Sequence, residues 1–338
     1  MHSRNSKHTS VPDPRFRPLP TSRVTICKKI VFTTAFAFSK PSTMTISSST
    51  VALITGASSG IGTALALRLA AKGARVALAA RRADRLNDVA ERVRAAGGTP
   101  LVLVADLSHE SECRRIVDET VRAFGTIDIL VNNAGRGNMA SVEDTSTEQL
   151  ESMMHLNVYA PFWSTAQALP VMRANDRGHI VMIASVAGRM GYPFNAAYVA
   201  AKHAVVGFTA SLRAELYGTN VHATAVNPAG VITEWADATE GGPIGQLYAS
   251  AIPASRVLAR ERGLPLAPLS RMMPADDAAR IIEEAIEAGR GGDVFTHEGT
   301  HEQAVDAVRD RVAQEDAFAA LYLGMQAAYA KLRSQDTV

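Results

Sequence analysis

The chain has 338 residues, 47% of them hydrophobic and 20% charged, an ordinary globular composition that suffices for one large α/β core or two small domains. Its net charge of +2 is uneven: residues 1–44 hold eight Lys/Arg against one acid, an excess of +7 that leaves about −5 for the remainder, and a mildly acidic body offers no basic surface to nucleic acid. The two cysteines, Cys27 and Cys113, have neither disulfide-framework nor metal-ligand spacing and suit a reducing cytoplasm, and no apolar run of about 18 residues is present to span a membrane.

Residues 1–44 are basic, rich in Ser, Thr and Pro, and lack helical or strand periodicity. Ala35-Phe36-Ala37 after the apolar run from Ile30 imitates a signal-peptidase site, but the basic lead is long and the apolar run short. An acid-poor start also fits an organelle transit peptide. The favoured reading is a disordered extension, or an upstream start codon with Met44 as the true beginning.

From Thr50 the pattern changes. Short apolar runs occur at Val51–Ile54, Val76–Ala80, Pro100–Val104, Ile129–Asn132, His179–Ala184 and Val221–Val226. Helical stretches at Gly62–Lys72, Ala83–Ala95, Glu110–Phe124, Thr147–Arg173 and Ala196–Tyr217 separate them. This βα alternation predicts a Rossmann-like, doubly wound parallel sheet of about seven strands with helices on both faces. The runs are apolar throughout rather than alternating, as in strands buried on both sides. Residues 234–272, with Gly241, Gly242, Pro243, Pro253, Pro265 and Pro268, are too irregular for a core strand and too apolar for a linker, so they are predicted to cover a substrate. A helix over Ala275–Ala288 and a last strand over Asp293–Thr296 follow. The catalytic domain thus spans 45–300, and residues 301–338 form a C-terminal helical tail, broken once.

Thr55-Gly56-Ala57-Ser58-Ser59-Gly60-Ile61-Gly62 lies between the first strand and the first helix. Gly56 can take a turn conformation that a Cβ opposes. Gly60 lets the backbone approach a pyrophosphate, and Gly62 lets helix and strand pack closely. The helix N-terminus offers N–H groups and a positive dipole end to phosphate. A glycine-rich turn alone is weak, but its place between strand and helix is the context it needs. The TGxxxGxG spacing resembles the short-chain dehydrogenase/reductase family in its compact single-domain subtype, over roughly residues 48–298.

Further residues carry that resemblance. Tyr198 and Lys202 are four apart and share a helical face; Ser185 ends a strand thirteen residues before Tyr198, and Asn157 sits in a long helix before that. A tyrosine with an ordinary pKa near 10 is a poor base at neutral pH, and a nearby Lys202 ammonium is expected to lower it. Tyr198 then exchanges a proton with the substrate oxygen while Ser185 stabilises that oxygen. The resemblance also gives Lys202 bonds to a nicotinamide ribose and Asn157 a water in a proton relay. Pro161, four residues after Asn157, lacks an N–H, so the helix should kink there and leave the Asn157 carbonyl without its usual partner. The bland reading of Asn157 is a surface helix residue.

Cofactor contacts follow from the same resemblance. They fall on Gly56, Ser58, Ser59, Gly60, Ile61 and Gly62; on the adenine-facing pair Asp106-Leu107, where Asp106 has the competing reading of a helix cap; and on Asn133, Ala134 and Gly135. They also fall on Tyr198, Lys202 and the segment with Pro228, Val231 and Thr233, where Ala229 stands at a position usually held by glycine. An NAD-preferring site has an acid at the end of the second strand. Ala80 stands there, followed by Arg81 and Arg82. The expectation is therefore NADP(H), with Arg81 meeting the 2′-phosphate beside Ser58 and Arg82 helping; the competing reading makes both arginines solvated residues at a helix start.

The expected reaction interconverts a carbonyl and a secondary alcohol on a small, apolar substrate. The rivals are a non-catalytic dinucleotide-binding regulator on the same fold, which has no need of Asn157, Ser185, Tyr198 and Lys202 together, and an epimerase or dehydratase, whose glycine spacing and longer substrate domain are missing. Trp235, Ile244, Leu247, Tyr248, Ile252 and Leu258 either line the pocket or pack as a satellite core. His297, at a strand end, reads as structural. The resemblance implies a homodimer or homotetramer formed through helices 147–173 and 196–217, and no metal.

Overall fold

The computed structural model describes residues 43–289 and 291–335; the expectations for the leader before residue 43 and for the last three residues lie outside them. In chain order the elements are β1 Val51–Thr55, α1 Gly60–Ala71, β2 Arg75–Ala80, α2 Ala83–Ala95, β3 Thr99–Val104, α3 Glu110–Phe124, β4 Ile129–Asn132 and α4 Thr147–Met154. A π-turn over His155–Tyr159 joins α4 to α5 Ala160–Ala174. Then come β5 Gly178–Ile183, a 3₁₀ turn Val186–Gly188, α6 Ala196–Glu215, β6 Val221–Asn227, β7 Val231–Ile232, α7 Ile244–Arg262, β8 Met273–Pro274, α8 Ala275–Glu287 and β9 Gly292–Phe295. The chain closes with α9 Thr300–Arg309, α10 Arg311–Ala317 and α11 Ala319–Gln335.

Seven strands form one parallel sheet in the order β3-β2-β1-β4-β5-β6-β9. Every residue of β1, β4 and β5 is buried, because each face of the sheet carries helices. On one face Leu65 and Leu69 of α1, Leu86, Val89 and Val93 of α2, and Ile282 and Ile286 of α8 form the core. Met44 and Ile46 join this core from the chain before β1, and the Met44 N–H donates to the Glu287 carbonyl at 3.1 Å. On the other face the core comes from Cys113, Ile116 and Val117 of α3, Ala168 and Met172 of α5, and Val205 and Leu212 of α6. The strand order reverses between β1 and β4, which opens a crevice at the carboxyl ends of the strands.

Three features depart from the sequence reading. The long fourth helix is not merely kinked. Pro161 has no N–H for the Asn157 carbonyl, and the chain inserts one π-turn, with the Ala160 N–H reaching the His155 carbonyl, as helices do when a regular bond is lost. Residues 234–272 are not irregular throughout. They contain α7, a 19-residue helix whose Ile244, Leu247 and Ala251 pack on Leu321, Met325 and Ala328 of α11. The tail breaks twice rather than once. The break at Asp310, where the backbone is extended and the carboxylate accepts from the Ala313 N–H at 3.0 Å, starts α10, and Phe318, buried, separates α10 from α11.

Candidate active site

The glycine turn is stapled to the end of β4. The Thr55 hydroxyl, buried, donates to the Val131 carbonyl at 3.1 Å and accepts from the Asn133 and Ala134 N–H groups at 2.9 and 3.0 Å. The Asn133 side-chain amide donates back to the Thr55 and Gly56 carbonyls at 2.8 and 3.2 Å. Gly56 and Gly60 have φ of +65° and +57°, the left-handed region that side chains oppose. Space forbids a side chain as well: a Cβ at Gly62 would lie 2.6 Å from the Gly56 carbonyl oxygen, and one at Gly60 would lie 2.9 Å from the Thr233 methyl. Ser59, at the N-cap of α1, makes no side-chain capping bond, so the first-turn N–H groups of α1 are left to an anion. Ile61 packs against the core.

The arginines divide differently from expectation. Arg82, not Arg81, meets the glycine turn: its guanidinium donates to Ser58 Oγ at 3.1 Å and Ser59 Oγ at 3.0 Å. It also pairs with Glu234 at 3.0 Å, a carboxylate shared with Arg85 at 3.3 Å. Arg81 is exposed and acts on Asp106. Burial pushes the Asp106 carboxyl up, but hydrogen bonds from Ser108 and the Arg81 charge outweigh it and hold the group below the usual carboxylate range. Asp106 Oδ1 accepts from the Ser108 N–H at 3.0 Å and hydroxyl at 2.8 Å, so it shapes the turn ahead of α3, close to its competing reading. Leu107 is buried in the α3-side core.

Four side chains from α6, the π-turn and the end of β5 converge beyond the turn. Ser185 caps the 3₁₀ turn after β5, its Oγ accepting from the Ala187 N–H at 3.1 Å and donating to the Pro228 carbonyl at 3.4 Å. Tyr198 and Lys202, both buried on α6, lie with the Lys202 Nζ 5.6 Å from the Tyr198 ring centre. The ammonium donates to the Ile183 carbonyl at 2.8 Å. Asn157, only 1% exposed, sits inside the π-turn and is not a surface residue. Its Nδ2 donates to the Arg136 and Met153 carbonyls at 3.2 Å each. Its Oδ1 is buried with no donor and faces Gly135, where a Cβ would lie 2.6 Å from it and 3.6 Å from Lys202 Nζ.

Electrostatics correct one expectation. The Tyr198 phenol is not lowered overall. Burial pushes the Tyr198 phenol up to about 12, against a hydrogen bond with Ser185 that pulls it down. Burial also draws the Lys202 ammonium down to about 8. Both groups lose water, and that loss disfavours the charged form of each.

The far wall is aromatic. The Trp235 ring lies 5.3 Å from that of Tyr198, and Trp235, Tyr248 and Ile252 flank the core that holds Ile244 and Leu247. Ile244 and Leu247 are thus satellite core, and Leu258 belongs to neither cluster. The sequence reading missed Tyr192, which touches both this core and the cluster around Tyr198; burial, with the phenols of Tyr248, Tyr322 and Tyr198 beside it, pushes its hydroxyl well above the ordinary range. It also missed Tyr322 of α11, whose hydroxyl donates to the Gly191 carbonyl at 2.9 Å. Gly191-Tyr192-Pro193 stands in a non-periodic loop, which offered no signal. Pro228 is buried, Val231 forms β7 beside β8, and the Thr233 Oγ1 accepts from the Trp235 N–H at 3.2 Å. His297 is structural, its ring bonded to the Gly230 carbonyl at 3.0 Å and to the Thr296 hydroxyl at 2.8 Å.

This fold and this placing of residues have counterparts. A family model described as short chain dehydrogenase matches residues 50–241. The chain is 41% identical over 186 residues to 11-beta-hydroxysteroid dehydrogenase 1A of Arabidopsis thaliana, a match over 54% of this chain and 53% of that protein; the chain thus spans about half the length of that relative. A short-chain dehydrogenase/reductase from Burkholderia phymatum, solved in complex with NAD, superposes with a TM-score of 0.68 at 30% identity, over 80% of this chain and 97% of the other. A metagenomic short-chain oxidoreductase solved in complex with NADP gives 0.58 at 28% identity, over 74% and 96%. The chain belongs to the short-chain dehydrogenase/reductase family. Among the described residues no helix is long and apolar enough to cross a membrane.

Proposed function

We propose that the chain is an NADP(H)-dependent oxidoreductase interconverting a carbonyl and a secondary alcohol on a small, apolar substrate. The observation that carries this reading is the convergence of Ser185, Tyr198, Lys202 and the donorless Asn157 Oδ1 next to the glycine turn. The residues fit a nicotinamide dinucleotide: two left-handed glycines, a third with no room for a Cβ, and an uncapped helix start form a cradle for a pyrophosphate. Gly56, Ser59, Gly60, Ile61 and Gly62 would hold it there, Asp106 and Leu107 the adenine side, and Asn133, Ala134, Gly135, Pro228, Val231 and Thr233 the nicotinamide side. When bound, that cofactor supplies or accepts the hydride.

The remaining chemistry belongs to the chain. In reduction Tyr198 gives its phenolic proton to the substrate oxygen, and Ser185 donates a hydrogen bond to the same oxygen as charge builds on it. A buried phenol with a high pKa holds its proton until the oxygen takes it. Lys202 then favours the phenolate electrostatically, and Asn157 Oδ1 accepts a hydrogen bond in the path that returns a proton from solvent. Trp235, Tyr192 and Tyr248 exclude water and favour an apolar, ring-bearing substrate. Ala80 leaves no carboxylate to repel a 2′-phosphate, and Arg82 beside Ser58 and Ser59 supplies a fork to bind one. The exposed Tyr159 and Phe162, with the Phe162 ring tilted against Phe208 of α6 at 5.0 Å, support the pairing of two copies through α5 and α6. Free, buried Cys113, its thiol pushed up to about 11 mainly by burial, suits a cytoplasmic setting.

The test is NADPH consumption against a panel of ketones and aldehydes, with wild type and Tyr198→Phe. Loss of the proton donor should cut turnover by about 10²–10⁴ while NADPH affinity, read by calorimetry, stays unchanged. Wild-type turnover in the variant would overturn the reading.

A further inference from the structure

Glu234 follows Thr233 at the point where the chain leaves the sheet for the substrate side. Its carboxylate lies on Arg82 at 3.0 Å and on Arg85 at 3.3 Å. Arg82 has its Nε and Nη2 on Ser58, Nη2 again on Ser59, and Nη1 on Glu234. A guanidinium has five N–H donors in one plane, and these partners occupy three sides of it. The arginine that would read a 2′-phosphate is therefore already engaged by an anion of the chain itself. Elsewhere the segment is anchored: Glu240 pairs with Arg136 at 2.7 Å, the Met139 N–H donates to the Glu240 carbonyl at 2.7 Å, and the Thr239 hydroxyl donates to the Trp235 carbonyl at 3.1 Å. The Glu234 side chain, 44% exposed, is held by Arg82 and Arg85 alone among the described residues.

We infer that Glu234 is an internal competitor for Arg82: the cofactor's 2′-phosphate must displace its carboxylate, and Arg85 receives it. Two anions on one guanidinium edge repel each other, so the phosphate and Glu234 do not share Arg82 without loss. Arg85 offers the carboxylate a second cation without moving the backbone, because Glu234 already touches both. The pair is solvent-exposed, so release costs little. This makes Glu234 a determinant of cofactor selectivity, one that weakens binding of the phosphorylated dinucleotide and leaves the unphosphorylated one alone. The inference rests on the NADP(H) reading of the same site.

The experiment is calorimetric titration of the full chain with 2′,5′-ADP and with 5′-AMP, in wild type, Glu234→Gln, Arg85→Gln and the double variant. Glutamine keeps the shape and removes the charge, and equal melting temperatures verify the fold. Glu234→Gln should bind 2′,5′-ADP about two- to fivefold more tightly, the range of an exposed ion pair, with 5′-AMP unchanged. Arg85→Gln should weaken 2′,5′-ADP in wild type and do so less in the Glu234→Gln background, because Glu234 then has no second partner to lose. Equal gains for both nucleotides, or no gain for 2′,5′-ADP, would overturn the competition, and an Arg85 effect of the same size in both backgrounds would overturn the hand-over. A wild type that binds the two nucleotides equally would instead refute the NADP(H) reading itself.

Discussion

Replacing Thr55 by valine removes one oxygen and keeps the volume, and the structure says what that oxygen holds. It bridges β1 to the loop after β4 through three hydrogen bonds of 2.9–3.1 Å, in a residue only 3% exposed. Valine leaves the N–H groups of Asn133 and Ala134 without that acceptor. A buried donor orphaned in this way costs about 1–3 kcal/mol. Asn133 and Ala134 are half-buried, so water recovers part of the loss, and a destabilisation of about 2–4 kcal/mol follows. For a domain of this size that lowers Tm by about 3–7 °C. Urea unfolding should show an earlier midpoint at unchanged slope, and cofactor affinity should fall with it because the same loop shapes the glycine turn. Thr55→Ser keeps the oxygen and should stay within about 1 kcal/mol of wild type. If Thr55→Val proves as stable as Thr55→Ser, the hydroxyl is not the bridge.

Ala80→Asp combined with Arg82→Ala should shift kcat/KM toward NADH by about ten- to a hundredfold, since each charge-assisted bond lost is worth about 1.5–3 kcal/mol; an unchanged NADPH-to-NADH ratio would mean that the 2′-phosphate is read elsewhere. Ketone reduction should hold up to about pH 8 and decline above it as Lys202, drawn down to about 8, loses its charge, and pH–rate profiles in which residual Lys202→Met activity keeps the same inflection would refute the assignment. The same shift carries a stability sign: between pH 8 and the ordinary lysine value the unfolded chain binds the extra proton, so this group makes stability rise with pH there, checked by urea midpoints against Lys202→Met. A chain starting at Met44 should melt like the full chain, whereas one starting at Val51 loses the burial of Met44 and Ile46 and about 3 kcal/mol or more, which calorimetric melting would reveal.

Most of the sheet was legible because its signal is local. Apolar runs such as Val51–Ile54 and Ile129–Asn132 lie between amphipathic stretches, and the βα rhythm then leaves few topologies. The missed helix α7 shows where local signals mislead. Gly241, Gly242, Pro243 and Pro253 read as breakers, yet Gly241 and Gly242, with φ of +83° and +148°, build the entry turn, and Pro243 is the N-cap, where no helical N–H is needed. The buried residues Ile244, Leu247, Ala251, Ser255 and Ala259 keep a helical spacing that the breakers concealed. Their partner, α11, is some seventy residues away in sequence, and only tertiary packing selects the helix.

The site divides along the same line. The departure at Asn157 followed from covalent structure alone: Pro161 has no N–H, so the fourth helix could not continue regularly, and the π-turn realises that constraint. The choice between Arg81 and Arg82 had no such basis. Both follow Ala80 directly, and which of them returns to Ser58 and Ser59 depends on how the chain turns from β2 into α2. The direction of the Tyr198 shift differed for another reason. Four-residue spacing on a helix correctly placed the ammonium beside the ring, but proximity sets only the attractive part of a pKa shift. Burial sets the opposing part, and the covering that buries both groups comes from Trp235 and Tyr192, in loops where the sequence carries no period. A tyrosine that keeps its proton up to about 12 is a better acid store than base. Reduction leaves, and oxidation starts from, the same phenolate, so the Lys202 charge serves both directions; Lys202→Met should lower kcat/KM for ketone reduction and for alcohol oxidation alike, and loss in one direction alone would refute this role.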